Sequence, residues 1–315
     1  MTEKNGMRAV IIAGMLIIFS VISYIYMTSA KTSQRHVNLS VVVYGSTAEK
    51  WTSFKQGVEQ AASDLDASVN FVVLSGTNDA KEQEEQMARE LENGAEGMVV
   101  AVTDSRGMAN YITRTANVSP IVLVESGIYG DESLPCVAAN AYEMGKELAG
   151  QVIEGTGADV PVYIVQTGEN RNCQKERMAG FRDGCEKAGR KVEQVLYPNQ
   201  EAMKEVLESG KEQALAALDD LPLVMTMNVV GGSRENLKIY GIGSSEQIVF
   251  GVDQGMIEGI VFQNEFNMGY EAVDILVQKI RKGGASEPMT IDFHKATGET
   301  LHEPENERLL YPLIQ

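Results

Sequence analysis

Short apolar runs alternate with amphipathic stretches along most of this chain, which predicts strands and helices in turn. Residues 39–45, LSVVVYG, are rich in β-branched side chains and apolar on both faces, as suits a strand covered on both sides of a parallel sheet. The next stretch places Trp51, Phe54, Val58, Ala61 or Ala62, and Leu65 at spacings of three and four, one face of a helix. Further strands are expected at 70–75, 97–102 and 120–125, with helices over 80–93 and from about 105 between them. The order then repeats: helix 142–154, strand 160–167, helix 174–187, strand 191–197, helix 203–218, and strands at 223–228, 238–243 and 259–263. A helix over 267–281 and a strand over 289–294 close the series. That many strands exceed one mononucleotide-binding half, so the pattern predicts two α/β lobes with parallel sheets. Junctions between lobes are expected near 138–142, 263–266 and 287–292.

One run departs from the alternation. Ala9 to Ala30 carries no charge, and 22 residues at ~1.5 Å each span a hydrocarbon layer of ~30 Å. Lys4 and Arg8 precede it, which favours an N-terminus inside and the remainder outside. The expected topology is a single-pass transmembrane helix within residues 1–35 and an extracellular domain from His36 onward. The competing reading is a secretory signal cleaved after Ala30, although such signals have apolar cores of only ~7–15 residues. No Cys directly follows the run, so a lipid-modified N-terminus is not expected. Both readings export the domain.

Charge narrows the partners. The chain has a net charge of −17; its first 35 residues carry four bases and one acid, so the exported part carries −20. Such a surface repels nucleic acid and anionic lipid. Cys136, Cys173 and Cys185 form no disulfide framework, since two of them would lie ~18 Å apart along one helix. They are expected as small buried groups. No His/Cys pair has metal-ligand spacing, and no HExxH, GxSxG or P-loop sequence occurs, so neither a metal, a cofactor nor catalysis is expected. GIGSSE at 241–246 lacks the third glycine of a dinucleotide fingerprint.

Ligands of open α/β sheets bind beyond the carboxyl ends of the strands. The candidates there are Trp51 after the first strand, Glu125 after the fourth, Asn140 at the first junction, Asn228 after 223–228, and Gln263 after 259–263. Arg177 lies one turn into the helix that follows 160–167. One aromatic, one acid, one guanidinium and several amides, without paired acids, suit a neutral polyol, because amides and charged forks satisfy hydroxyls and a ring packs on C–H faces. Simpler roles compete at each position. Trp51 also fits the apolar helix face, Glu125 and Arg177 could join ion pairs, and Asn140 and Asn228 could cap helices. Asp104 is expected as a cap.

Several stretches resemble one family: GSTAEKWTSFKQGVEQAA, ELENGAEGMVVAVTDS, PIVLVES, VAANAYEMGKELA, KERMAGFRDG, KIYGIGSSEQIVFGVDQGMIEGIVFQNEFNMGYEAV and the ending ENERLLYPLIQ. In this order they are similar to the type I periplasmic sugar-binding proteins, the ribose/xylose/galactose group, over residues 37–315, and among them to membrane-attached Gram-positive members. The resemblance implies two Rossmann-like lobes joined by three crossovers, 36–139 with 264–289 and 140–263 with 290–315. It implies closure on a small carbohydrate and delivery to the permease subunits of an ABC importer, or, for a tethered domain, reporting of occupancy to a sensor histidine kinase. Trp51, Glu125, Arg177, Asn228 and Gln263 match family positions. Asn140-Ala141 and Gly241-Ile242-Gly243 replace an Asp-Asn and a Gly-Phe-Asp found in many relatives, which removes two expected carboxylates.

Overall fold

Segments with almost no polar face form the centres of two sheets. In the computed structural model, residues 14–16, 18–21, 35–47, 49–76, 79–131, 133–168, 170–232, 236–284 and 287–311 are described. The chain divides into a unit of residues 1–36 and a second unit of residues 37–315, which holds both sheets. The membrane segment expected at 9–30 lies for the most part outside the described residues. Within it, 14–16 and 18–21 are helical, and among the described residues no helix is long and apolar enough to cross a membrane.

The first sheet combines β1 (Val37–Val43), β2 (Ala67–Val73), β3 (Gly97–Ala101), β4 (Ile121–Val124), β5 (Cys136–Ala139) and β11 (Met289–Ile291) in the order β11-β5-β4-β3-β1-β2, parallel throughout. The second combines β6 (Val162–Val165), β7 (Val192–Leu196), β8 (Gln213–Ala217), β9 (Leu237–Ile242), β10 (Gly259–Gln263) and β12 (Phe293–Thr297) in the order β12-β10-β9-β8-β6-β7. Only β12 runs antiparallel to its neighbour. Every residue of β3, β4, β8 and β10 is buried, as strands covered by helices on both sides must be.

Helices α1 (Thr52–Asp64), α2 (Ala80–Glu92) and α3 (Ala109–Ala116) follow the first three strands, and α4 (Ala141–Gly155) and α5 (Asn172–Lys187) open the second lobe. There α6 (Gln200–Glu208), α7 (Asp220–Val230) and α8 (Glu246–Asp253) follow. The chain then returns through α9 (Glu265–Lys282) to the first sheet and ends its described part in α10 (Pro304–Leu310). The predicted face of α1 is the buried one, with Phe54, Val58, Ala61 and Ala62 inside.

Each lobe contains one helix pair that packs backbone to backbone through glycine. A Cβ on Gly57 of α1 would lie 1.9 Å from the Phe266 carbonyl oxygen, and one on Gly269 of α9 2.2 Å from that of Phe54. In the second lobe a Cβ on Gly145 would lie 2.0 Å from the Arg177 oxygen, and one on Gly180 1.9 Å from that of Tyr142. Gly180→Ala is therefore expected to push α4 and α5 apart and cost about 1–3 kcal/mol or more. Urea denaturation reads the loss; a midpoint equal to that of the parent chain would contradict this packing.

Four elements differ from the sequence reading. Residues 203–218 are not one helix: α6 stops at Glu208 and 213–217 form β8. Residues 223–228 are not a strand but lie inside α7, which Asp219 caps and Gly231 ends at φ 71°. The expected strand 289–294 is two strands in different sheets, β11 and β12, with Asp292 between them. β5 has no counterpart in the sequence pattern; at four residues it is too short to show a period.

Candidate functional site

The carboxyl ends of β1, β4 and β8, with the N-terminal turns of α5 and α9, bring eight ionisable groups together between the lobes. Just past β1, Tyr44 and Lys50 are buried, with Trp51 behind them. Glu125, directly after β4, adopts φ 62°, a left-handed conformation that costs a non-glycine residue on the order of 1 kcal/mol. Its carboxylate is held by Lys50 Nζ at 3.0 Å, by Arg177 Nη2 at 3.5 Å, and by the Tyr44 hydroxyl, which donates to Oε2. From the second lobe, Asp219 accepts from Arg171 Nη2 at 2.6 Å and from Arg177 Nη1 at 3.1 Å. The next residue, Asp220, accepts from Thr47 Oγ1 of the first lobe at 2.8 Å and from the Ser245 backbone N–H at 3.3 Å. Glu265, at the start of α9, lies 3.4 Å from Lys50 Nζ.

The lobes are in contact across this network. The Arg171 guanidinium sits 4.0 Å from the Tyr44 ring centroid, a cation–π arrangement. Asn172 and Cys173, at the start of α5, donate backbone N–H groups to Ser105 Oγ and Ser126 Oγ at 3.0 and 3.3 Å. Among the described residues Arg177 alone forms ion pairs with carboxylates of both lobes.

Burial and pairing set the charge states. Burial pushes the Glu125 carboxyl up, yet Lys50 and the two guanidiniums outweigh this and hold it below the ordinary value. Asp219 is likewise held well below the ordinary carboxylate range, with burial opposed by Arg171, Arg177 and Lys50. Burial works against the Lys50 ammonium, but Glu125, Tyr44 and Glu265 raise its pKa well above the usual lysine value. Two acids go the other way. Burial raises Asp220, and it raises Glu265 to about 7, with Asp220 and Glu125 adding to it against Lys50. One site thus holds firmly ionised pairs and a carboxyl that titrates near neutrality. Several buried polar atoms here have no hydrogen-bond partner among the described residues: Arg171 Nε and Nη1, Arg177 Nε, Asn172 Oδ1 and Ser245 Oγ.

Of the six residues singled out from the sequence, Glu125 and Arg177 lie in this network. Gln263 is buried at the end of β10, where the chain crosses to α9. Trp51 is 4 % exposed, packs edge-on against Tyr44 and Phe54, and donates its indole N–H to the Tyr44 carbonyl oxygen at 2.9 Å. Asn140 caps α4, accepting from the Glu143 N–H at 3.1 Å. Asn228 does not end a strand; it is exposed near the end of α7 and lines a cavity between α7 and α8. Asp104 accepts from the backbone N–H groups of Arg106 and Gly107 and so closes the turn before α3, whose N-cap position is held by Met108 instead. All three cysteines are free, and burial pushes the Cys136 thiol up to about 12.

Sequence reasoning misses Tyr44, Lys50, Arg171, Asp219, Asp220 and Glu265. Lys50 is visible within STAEKW, one residue before the more conspicuous Trp. Asp219-Asp220 is a pair of acids where none is expected; it sits at the carboxyl end of β8, hidden because 203–218 reads as a helix.

This two-lobed architecture is shared with solved structures of low sequence identity. A carbohydrate transporter solute-binding protein from Agrobacterium radiobacter, in complex with D-arabinose, superposes with a TM-score of 0.79 at 17 % identity, covering 88 % of this chain and 100 % of that one. An ABC transporter solute-binding protein from Agrobacterium vitis, bound to α-D-tagatopyranose, gives 0.79 at 15 % identity over 88 % and 100 %. A sugar-binding protein of a sugar ABC transporter from Bacillus halodurans gives 0.71 at 18 % over 84 % and 98 %. No curated protein sequence matches the chain. Residues 39–285 match the family described as periplasmic binding protein domain, and with both sheets in the arrangement its type I resemblance implies, the chain belongs to that family.

Proposed function

We propose that this protein is an extracytoplasmic solute-binding protein that captures a small sugar or polyol between its lobes and presents it to an ABC importer. The observation that carries the reading is the buried guanidinium pair, Arg171 and Arg177, in which Nε of both and Nη1 of Arg171 keep unused donors beside Glu125 and Asp219. A hydroxyl accepts from such a fork while donating to a carboxylate, so a polyol satisfies both kinds of group at once. Two structural relatives described above hold D-arabinose and tagatopyranose. Glu125, Arg177 and Gln263 act in the cleft; Trp51 supports Tyr44 from the core, and Asn140 fixes the start of α4. Residues 9–30 tether the domain to the membrane that carries the permease.

Closure is the binding step. Arg177 meets Glu125 of the first lobe and Asp219 of the second in one arrangement only, and a ligand that joins these contacts stabilises that arrangement. Thermal melts of the full-length chain in detergent test the assignment, with D-arabinose, D-tagatose, D-fucose and D-ribose as probes. A sugar at 100 times its Kd is expected to add about 2.7 kcal/mol. If no sugar or polyol moves the melt while another solute class does, the carbohydrate reading fails. Recovery of the tethered chain with a histidine kinase and no permease would instead assign it to sensing.

A further inference from the structure

We propose that a second ligand site, for an organic cation with an apolar body, lies between α7 and α8, beside the charged cleft. The cavity there has a volume of about 570 Å³, within the range of small-molecule sites. Its walls are the end of α7 with Met227 and Asn228, the outer face of α8 with Glu246 and Phe250, Met256 beyond α8, and Glu49 from the first lobe. No lysine, arginine or histidine belongs to its described lining.

Four features favour a positive ligand with hydrocarbon attached. Phe250 is 58 % exposed, an uncovered ring on which a quaternary or primary ammonium can stack. Met227 and Met256 supply polarisable thioethers that adapt to an apolar body. α7 ends here at Gly231, so the carbonyls of its last turn carry the negative end of the helix dipole. Glu246 offsets the positive end of α8, and Glu49 adds a carboxylate whose Oε2 is buried without a hydrogen-bond partner among the described residues. Neither acid is in an ion pair with a described residue. An anion is repelled by this lining, and a neutral polyol leaves the ring and thioethers unused.

The site also reads the state of the lobes. Glu49 comes from the first lobe and the other walls from the second, so an occupant touching both favours closure. Binding of a cation here and of a solute in the cleft are then reciprocally coupled.

The test is calorimetric titration of the full-length chain with benzyltrimethylammonium chloride, with benzyl alcohol and sodium benzoate as neutral and anionic controls of similar shape. Saturable binding of the cation alone is expected, weakened about tenfold in Phe250→Ala and again in Glu246→Gln. Both side chains are surface groups, and unliganded melts equal to the parent show that the variants are folded. The sugar-induced shift in melting is expected to persist in both, which separates this site from the cleft. Equal binding of benzyl alcohol, or cation binding unchanged in Phe250→Ala, would overturn the proposal.

Discussion

Arg177→Met is expected to lower the unfolding free energy by about 3–5 kcal/mol, because it strands buried carboxylates on both sides of the cleft. Arg177 is 2 % exposed and among the largest fully buried side chains of the described chain. It has Asp219 Oδ1 at 3.1 Å and Glu125 Oε1 at 3.5 Å. Methionine keeps most of the packing volume and removes both contacts, so the loss is electrostatic. Arg171 and Lys50 still hold Asp219 and Glu125, at 2.6 and 3.0 Å, which keeps the effect at the lower end of the range. A compensating variant separates this from simple damage. Asp219→Asn in the Arg177→Met background removes one stranded charge, so the second change is expected to cost less there than alone, a coupling that a double-mutant cycle measures. Arg177→Lys is expected to restore the charge but not the two-sided reach, since an ammonium has no fork. Urea denaturation reads the stability and sugar titration the closure. An Arg177→Met midpoint equal to that of the parent would show that the network does not hold the lobes.

How far the sequence reveals this site depends on the kind of signal each residue gives. The β-branched runs of β1, β3, β4 and β10 and the amphipathic face of α1 are legible because their pattern is local and long enough to show a period. α7 is not: DLPLVMTMNVV is apolar on nearly all sides, and a run of that kind suits a buried strand as well as a buried helix. Its helical signals are the cap at Asp219, a proline in the first turn at Pro222, and the Gly231-Gly232 stop. β8 misleads in the opposite way. QALAA is built of good helix formers, and its place in the middle of a sheet overrides that preference. β8 and α7 adjoin, and misreading both hides Asp219 and Asp220 at their junction. Glu125 is found because its strand is unambiguous, whereas its left-handed backbone and its three partners come from segments far apart in the chain.

Acidification from pH 8 to pH 5 is expected to stabilise the closed protein, through Glu265. Its folded-state pKa is raised from the ordinary 4.5 to about 7 by burial first, with Asp220 and Glu125 adding to it against Lys50. A raised pKa means that the folded chain holds a proton which the unfolded chain has released, so the contribution is fully present below 4.5 and disappears as pH rises through about 7. Each tenfold difference in proton affinity between the folded and unfolded chain is worth about 1.4 kcal/mol, which makes the whole change on the order of 3 kcal/mol. Asp220, also raised, acts in the same sense. Glu125 and Asp219 act in the opposite sense, but their pKa values are depressed, so their contributions are lost only at pH below the ordinary carboxylate range. Between pH 5 and 8 Glu265 therefore contributes to the slope in this sense, and Asp220, Glu176 and Glu271, each raised chiefly by burial, add to it. Asp220 belongs to the second lobe and Glu265 begins a helix of the first, so part of the repulsion exists only when the lobes are together. Protonation then favours closure as well as folding, and the cleft's ligand is expected to bind more tightly at pH 6 than at pH 8. Glu265→Gln mimics the protonated form and is expected to flatten both profiles toward their acidic level. Urea midpoints and sugar affinities at pH 5, 6, 7 and 8 decide it: a variant whose slope matches the parent would place the titrating group elsewhere.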